Sequence, residues 1–404
     1  MSAAPRLGLF TPGWPGQNTP NGIATSVYHL ALGLQDIGQP PVIIAEHLDG
    51  DAPQGIPVVH IPQLEWRWQD RIRARLGHSE AGHWYRSRNI AAGIHTATAE
   101  HGLDVIIMEE THGWAGMVQQ LVPVPVIIAL HGPWVLHKSL QSVRNSKDDR
   151  NRECRESRAF AAAPGLMSPS RDVLASMEKA LRLPDKPRGV VPNAFPAEAG
   201  APLAADQPRA DILFVGRFDL HKGGDTVLEA FSDLVRTHPH ARLTFAGIDK
   251  GLRQADGSLL HIDTALSALP ETVRACITYM GPLDRAEISR LRRRHAIALI
   301  ASRYENLNYT LLEAMAAGQA IVCTRVGGPA DVLEDEKTAL FVPPSDPEAM
   351  ADALRRLMDT PALAVSLGTG ARAKLTDDFD PARVAIQTLD FVRRVLVAPS
   401  GRQV

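Results

Sequence analysis

The chain has 404 residues, of which 45% are apolar and 22% charged, and its formal net charge is −2. This length predicts two or three domains, and the near-neutral charge gives no basic field of the kind that attracts nucleic acid. Cys154, Cys276 and Cys323 lie far apart without metal-ligand spacing, which favours a reducing, cytoplasmic location. The N-terminus lacks a signal-peptide pattern, and no apolar run approaches the ~18 residues of a membrane span.

Short apolar runs that alternate with helical patterns predict strands in both halves of the chain. Continuous apolar runs of this kind are typical of parallel strands that are covered on both faces. We therefore expect an α/β protein with two doubly wound parallel sheets. The predicted strands are 6–10, 41–45, 57–61, 104–108, 125–130, 165–169 and 189–192 in the first half, and 211–216, 242–247, 276–281, 296–301, 320–324 and 339–343 in the second.

A proline-rich stretch separates the two halves. Six prolines lie between Pro184 and Pro208, and proline favours neither helix nor sheet interiors. We place a linker at 196–209, between an N-terminal domain at 1–195 and a C-terminal domain at 210–378. Residues 379–404 then form a helix and tail, with Asp380 as the cap and Pro381 in the first turn. In such folds ligands bind at the carboxyl ends of strands, so we expect the site in the cleft between the domains.

Several common cofactor motifs are absent from the sequence. No G-x-G-x-x-G follows the first strand and no G-x-x-x-x-G-K-[ST] occurs, which argues against a dinucleotide cofactor and against a P-loop NTPase. The Asp49-Gly50-Asp51 triplet could hold a metal–diphosphate. It stands in a turn-like string, however, and we interpret it as a loop.

Two cations follow the first strand of the second half. The strand ends at Gly216, Arg217 and Lys222 lie in the loop, and Gly223-Gly224 precede a helix. Arginine can fork onto phosphate oxygens, lysine adds a point charge, and a helix N-terminus adds backbone donors. The pattern suits a doubly charged anion, although by itself it fits ordinary loop cations equally well.

The stretch E-N-L-N-Y-T-L-L-E-A-M, residues 305–315, carries two carboxylates. Glu305 stands where a strand ends, and the following residues begin a helix whose first N–H groups could hold an anion. Glu313 lies among apolar helix residues, where a carboxylate needs hydrogen-bond donors. Sugar hydroxyls or a nearby arginine would both serve Glu313, and Glu305 could also be a solvated loop acid.

The spacing G-R-x4-K-G from Gly216, followed by E-x7-E from Glu305, resembles the donor-site signature of glycosyltransferase family 4. Members are retaining enzymes of the GT-B fold, with two Rossmann-like domains. N-G-I-A-T-S at 21–26, V-I-I-A-L-H-G-P-W at 126–134 and T-Y-M-G-P-L at 278–283 are similar to other family segments. The resemblance is strong in 211–345, weaker in the first domain and thin in 62–122.

The resemblance implies a role for each matched residue. Arg217 and Lys222 would hold the donor diphosphate, Glu305 the transferred sugar and Glu313 the ribose. His131 would lie near the reacting carbon, with a core histidine or His112 as alternatives. No metal or other cofactor would be essential, and the C-terminal helix would return to the first domain. Further donor contacts would come from Gly22, Gly216, Gly281, Leu307, Asn308, Tyr309 and Thr310.

The sequence departs from the family pattern after Glu305. The usual Pro-Phe-Gly is replaced by Asn306-Leu307-Asn308. Because asparagine tolerates a left-handed backbone better than most residues, we expect the turn to be kept at Asn308.

The acceptor side carries a basic, tryptophan-bearing segment, residues 65–88. Such a helix can lie on an anionic membrane, or it can be a solvated face. The expected partners are a nucleotide-sugar donor, a glycan or lipid-linked acceptor and an anionic membrane surface, with no nucleic acid. We expect retaining transfer to a lipid-linked glycan or glycolipid; a soluble-acceptor synthase is the alternative. A non-catalytic binding subunit is disfavoured, because every charged donor-site position is intact.

Overall fold

A computed structural model of the protein describes residues 4–15, 21–75, 80–136, 146–197 and 211–398. The chain divides into two compact units: Met1–Ala194 with Phe379–Val404, and Phe195–Asp378. The division falls beside the boundary placed at residue 195, and most of the predicted linker lies outside the described residues. We call these the first and the second unit.

The first unit is built on a seven-stranded parallel sheet with the order β3-β2-β1-β4-β5-β6-β7. Apolar runs such as V-I-I-A form these strands, and in β1, β2, β4, β5 and β6 every residue is buried. The strands are β1 Leu7–Thr11, β2 Val42–Ala45, β3 Val58–His60, β4 Val105–Glu109, β5 Val126–Ala129, β6 Leu166–Ser168 and β7 Arg188–Val190.

Three helices of the first unit begin at polar caps, namely Asn21, Ser146 and Ser170. Asn21 caps α1 by accepting a hydrogen bond from the Ile23 N–H at 2.8 Å, and Ser146 forms a capping box with Asp149 at the start of α5. The helices are α1 Gly22–Asp36, α2 Trp68–Arg75, α3 Glu80–His101, α4 Trp114–Leu121, α5 Lys147–Ala162 and α6 Arg171–Ala180.

The second unit has a six-stranded parallel sheet with the order β12-β9-β8-β13-β14-β15. Its strands are β8 Asp211–Val215, β9 Arg242–Ala246, β12 Ile277–Gly281, β13 Ile297–Ile300, β14 Ala320–Thr324 and β15 Leu340–Val342. A short antiparallel hairpin, β10 Leu252–Arg253 with β11 Leu259–Leu260, was not predicted, because two-residue strands carry no periodic signal. All thirteen predicted strands are present, which confirms the α/β class with two parallel sheets.

Eight helices of the second unit are described, most of them packed on the faces of the sheet. They are α7 Gly224–Thr237, α8 Ile262–Ser267, α9 Glu271–Arg274, α10 Arg285–Arg294, α11 Tyr309–Ala316, α12 Gly327–Val332, α13 Pro347–Asp359 and α14 Pro361–Asp378. Within the described ranges, no helix has both the length and the apolar character needed to cross a bilayer.

The last helix, α15 Pro381–Val397, belongs to the first unit and packs against α1, which confirms the predicted return of the C-terminal helix. Its cap is Asp380, which accepts from the Arg383 N–H at 3.0 Å. The contact needs a glycine, because a Cβ on Gly33 would lie 2.0 Å from the carbonyl oxygen of Pro381.

Replacing Gly33 with alanine should destabilise the first unit by ~1–3 kcal/mol, because the added methyl group forces the two helices apart. All six tryptophans lie before residue 195, so urea unfolding followed by tryptophan fluorescence reports on this unit alone. The control is Gly82→Ala on α3, where a Cβ meets nothing within 4 Å. That variant should be neutral or slightly more stable, and equal midpoints for both variants would contradict the packing argument.

Candidate active site

Both sheets reverse their strand order next to their first strand. In the second unit β8 pairs with β9 on one side and with β13 on the other, so the loops after β8 and β13 leave the same edge in opposite directions. Crevices at this switch point are where doubly wound sheets bind ligands. Arg217 and Lys222 follow β8 and Glu305 follows β13, so the fold brings together three predicted residues that lie up to 88 positions apart.

Lys222 and Glu305 are in direct contact. The Nζ atom of Lys222 donates to Oε1 of Glu305, and the hydroxyl of Ser302 donates to the same oxygen at 2.8 Å. Burial alone would raise the pKa of Glu305, but the charges of Lys222 and His221 and these hydrogen bonds outweigh it and lower the pKa to about 2. Glu305 is therefore a buried, permanently ionised carboxylate and not the solvated loop acid considered as the alternative.

Arg217 stands at the more open side of the same loop. Its Nε donates to Asp219 Oδ2 at 2.7 Å, and 42% of its side chain is exposed. The other oxygen of Asp219 accepts from the Lys222 N–H at 2.7 Å. Asp219 thus organises both cations, a role that the sequence reasoning missed although the residue stands between them in R-F-D-L-H-K.

His221 and Arg303 join the two donor-site loops. The Nε2 atom of His221 lies 2.8 Å from the carbonyl oxygen of Tyr304, and the Arg303 N–H donates to the carbonyl of His221 at 2.8 Å. The Arg303 guanidinium also forms a forked ion pair with Asp225 at 2.6 and 3.0 Å. These contacts fix the spacing between Lys222 and Glu305.

Glycines allow the loops to approach one another. Gly223 has φ +73°, and a Cβ there would lie 2.1 Å from the carbonyl oxygen of Ala301. On Gly327 and Gly328 a Cβ would overlap the carbonyl oxygens of Glu305 and Asn306 at 1.8 and 1.3 Å. The R-V-G-G segment is therefore the support of the Glu305 loop, which the pattern alone did not reveal.

The expectation of a left-handed turn at Asn308 was wrong. Asn308 has φ −83° and ψ 148°, which is extended backbone, and it caps α11 by accepting from the Leu311 N–H at 2.9 Å. Where the family has glycine, Asn308 caps the helix with its side chain. A cap of this kind needs a side-chain acceptor but does not need a positive φ. The Thr310 N–H, in the first turn, has no intrahelical acceptor and suits an anion.

Glu313 has the arginine partner that was the alternative to a sugar. Its Oε2 accepts from the Nε and Nη2 atoms of Arg292 at 3.1 and 2.9 Å, and Arg292 is 3% exposed. Its other carboxylate oxygen has no partner among the described residues, and the side chain is 25% exposed. Glu313 can therefore keep Arg292 and still accept one or two hydroxyl groups.

The remaining predicted donor-site residues of the second unit surround this edge. Gly216 follows β8 and donates its N–H to Ala246 at 2.9 Å, and Gly281 ends β12 with φ +65°. Leu307 is 4% exposed, and the ring of Tyr309 packs against Phe195 at 5.9 Å. Leu307 and Tyr309 can offer only backbone to a ligand, because their side chains are committed to packing.

In the first unit, Gly22 is the first residue of α1, and part of the loop before it, 16–20, lies outside the described residues. His131 follows β5 and lines a cavity of this unit together with Ser26, Glu109 and Asn193. Burial lowers the pKa of His131 to about 4, so its imidazole is neutral at pH 7. A neutral ring can accept or donate one hydrogen bond without repelling a cationic centre.

His112, the alternative to His131, lies in the 3-10 turn after β4 with φ 56°. Burial, followed by the charges of Arg152 and Arg155, lowers its pKa to about 4. Its carbonyl accepts from Arg155 at 3.2 Å, and its ring packs on Trp114. These contacts give His112 a structural role, and His131 remains the predicted site residue.

Comparison with known families assigns both halves of the chain. Residues 20–199 match the model described as Glycosyltransferase Family 4, and residues 198–374 match the model described as Glycosyl transferases group 1. The two matches adjoin and together span most of the chain.

Individual relatives match over part of their length. A glycogen synthase of Mycobacterium tuberculosis is 35% identical over 190 residues, which is 46% of this chain and 44% of the relative. A D-inositol 3-phosphate glycosyltransferase of Frankia alni is 31% identical over 183 residues, 44% of this chain and 43% of the relative. The chain thus aligns with less than half the length of these relatives.

Solved structures share the fold across nearly the whole chain. Sucrose-phosphate synthase from Thermosynechococcus elongatus has a TM-score of 0.72 at 20% identity, and the match covers 98% of this chain and 100% of that one. Anabaena HepE, solved in complex with UDP, has a TM-score of 0.68 at 13% identity and covers 96% and 99%. With both halves matched by family models and the two parallel sheets of GT-B structures in place, the chain belongs to glycosyltransferase family 4.

Proposed function

We propose that this protein transfers a sugar from a nucleotide-diphosphate donor to an acceptor hydroxyl, with retention at the anomeric carbon. The observation that carries the proposal is the Lys222–Glu305 contact, with Arg217 and the first turn of α11 at the same sheet edge. Two cations and free backbone donors suit a diphosphate, and an ionised buried carboxylate suits sugar hydroxyls.

The proposed chemistry depends on charge at the leaving group. As the glycosidic bond breaks, negative charge develops on the diphosphate, and Arg217 and Lys222 offset it. Glu305 stays ionised because its pKa is about 2, so it accepts hydrogen bonds from the sugar hydroxyls and holds the sugar in place. We assign His131, which is neutral at the working pH, to the transferred sugar.

We assign the nucleoside end of the donor to Glu313 and Gly281. The open oxygen of Glu313 accepts from the ribose hydroxyls, while the hydrogen bonds from Arg292 orient the carboxylate. Backbone at Gly281 approaches the base, and Gly22 lets the first-unit loop approach the diphosphate. With two cations on the phosphates, we propose that transfer needs no metal and survives treatment with EDTA.

Arg217→Ala and Lys222→Ala should each lower kcat by ~10²-fold or more, because the charge that develops in the transition state loses a partner. The donor is first identified by thermal shift with UDP, GDP and ADP sugars, and turnover is then measured at saturating donor. The control is Arg236→Ala on α7, a cation whose side chain is 79% exposed, which should leave kcat unchanged. Near-normal turnover in either site variant would remove that residue from the mechanism.

The product should keep the anomeric configuration of the donor. Glu305 is tied to Lys222 and Ser302, so we assign no carboxylate as a covalent nucleophile, unlike the pair in a retaining glycosidase. The leaving phosphate instead accepts the acceptor proton on the same face of the sugar. Proton NMR of the first product formed gives its anomeric configuration. A product whose anomeric configuration is opposite to that of the donor would refute retention.

For the acceptor we propose a lipid-linked glycan or glycolipid, used at the cytoplasmic face of a membrane. The support is helix α2, where the side chains of Trp68 and Ile72, one turn apart, are 69% and 46% exposed. Arg67, Arg71 and Arg75 are exposed beside them. Exposed aromatic and aliphatic groups next to arginines are the pattern of an interfacial helix.

The rest of the basic segment 65–88 has other contacts. Trp66 stacks on Tyr85 at 4.8 Å, and Arg86 is paired with Glu46 and lies 3.9 Å above the ring of Trp114. Residues 76–79 lie outside the described residues. The proposed membrane contact is therefore confined to α2 and the residue before it.

Trp68→Ala with Ile72→Ser should abolish flotation with vesicles that contain anionic phospholipid, because the double variant removes the apolar insertion and keeps the arginines. The matched control is Ile386→Ser on α15, since Ile386 is 51% exposed outside α2. If the unmodified protein fails to float at physiological salt, the membrane proposal is wrong. The soluble acceptors indicated by the names of the relatives, a glucan or a polyol phosphate, would then be favoured.

A further inference from the structure

The loop that carries His131 is held from below by two glutamates. We call residues His131–Trp134 the histidine loop. The N–H of His131 donates to Glu110 Oε2 at 2.7 Å, and the N–H of Gly132 donates to Glu110 Oε1. The N–H of Trp134 donates to Glu156 Oε2 at 2.7 Å. Three backbone donors of a four-residue loop thus end on two side chains that the sequence analysis did not single out.

Both glutamates are deeply buried, and they are stabilised unequally. Glu110 and Glu156 are each 1% exposed. Glu156 has an ion pair with Arg152 at 2.7 Å, and the same guanidinium lies 4.5 Å above the ring of Trp134. Glu110 makes no ion pair with any residue that the structure describes, and its carboxylate is compensated by the loop N–H groups and by its own backbone N–H.

We propose that Glu110 is a positioning residue for His131 and that it acts in its ionised form. This inference rests on the proposed function, in which His131 contacts the transferred sugar. A carboxylate offers two acceptor oxygens to two parallel N–H groups. A protonated carboxyl offers one good acceptor and places a hydroxyl proton where the second N–H needs an acceptor. The histidine loop is therefore fully held only when Glu110 has lost its proton.

The surroundings of Glu110 place this ionisation near neutral pH. Burial, followed by the charges of Glu109 and Glu156, raises its pKa from the ordinary value of 4.5 to about 8. Burial likewise raises the pKa of Glu109 to about 7. The other titratable or charged groups of the cluster, from every element packed around it, are Glu46, Glu80, His83, Arg86, His112, His131, Arg152 and Arg155.

Stability and loop geometry then respond to pH in opposite directions. Because the folded-state pKa is raised, the stability linked to protonated Glu110 is complete below pH 4.5 and is lost as the pH rises through about 8. The same rise in pH supplies the second acceptor to the histidine loop. The stability of the first unit should therefore fall as the pH approaches 8 and level off above it, whereas turnover should rise with its midpoint at about pH 8.

The test compares kcat–pH profiles of the full-length protein and Glu110→Gln between pH 6 and 10. In the unmodified protein kcat should rise with an apparent pKa of about 8, while tryptophan-detected thermal stability falls. In Glu110→Gln the rise of kcat with pH should be lost, and kcat should be ~10-fold lower with little change in donor KM. The reason is that the NH2 group of the glutamine amide, a donor, would face one of the two loop N–H groups. Glu100→Gln, whose carboxylate is 60% exposed, should retain the unmodified profile.

A second variant keeps the proposal testable if Glu110→Gln does not fold. Glu156→Gln removes one negative charge beside Glu110 and should shift the rising limb to lower pH by ~0.5–1 unit. If either variant shows the same rise of kcat with pH as the unmodified protein, the role of Glu110 is wrong, while the proposal of sugar transfer is unaffected. If His131→Ala instead leaves kcat unchanged, the proposed function of His131 fails, and the two failures are thereby distinguished.

Discussion

The structure of the donor side depends on the cost of burying the Glu305 carboxylate. Burial opposes ionisation, and Glu305 remains charged only because Lys222, His221 and Ser302 face it. Lys222 and His221 have to reach Glu305 from the neighbouring loop, so the contacts of Arg303 and the close approach at Gly223 follow from the same requirement. In the proposed donor complex, a diphosphate would compete with Glu305 for the ammonium group of Lys222. A hydroxyl of the donor sugar would then replace the N–H donor that Glu305 loses.

The strand order of each sheet brings residues that are distant in sequence together at one edge of that sheet. In the first unit β1 lies beside β4, and in the second unit β8 lies beside β13. The loops that follow each of these strand pairs therefore leave the same edge of the sheet in opposite directions. That arrangement brings Arg217 and Lys222 to Glu305, and in the first unit it places the end of β1 beside Glu109, the last residue of β4, and Glu110, which follows it. The two units therefore use the same topological position differently: one joins a cation to a carboxylate, and the other gathers carboxylates under a backbone loop.

The class and the strands could be predicted from the sequence because they are set by local pattern, whereas the donor roles of Arg217, Lys222, Glu305 and Glu313 came from the family resemblance and stay predictions. Apolar runs specify strands whatever their partners, and the spacing from Arg217 to Glu313 is kept by the fold. Two features depended on contacts distant in sequence: the choice of Arg292 as the arginine that pairs with Glu313, and the support that Gly327-Gly328 give to a loop more than twenty positions earlier. The Asn308 cap is a local contact, with the Leu311 N–H, that the expected left-handed turn did not anticipate. A pattern shows residue types, but it does not show which carbonyl a side chain will meet.

Glu305 and Glu110 illustrate how environment assigns different tasks to the same side chain. Both are buried at the carboxyl edge of a parallel sheet, but a lysine contacts Glu305, whereas two carboxylates stand near Glu110. The pKa values consequently lie on opposite sides of the ordinary value, at about 2 and about 8. A carboxylate that must bind a substrate hydroxyl throughout the physiological range needs the first environment. One that holds a backbone loop can tolerate the second, and in the proposed role of Glu110 the pH at which it releases its proton would set where the histidine loop is fully held.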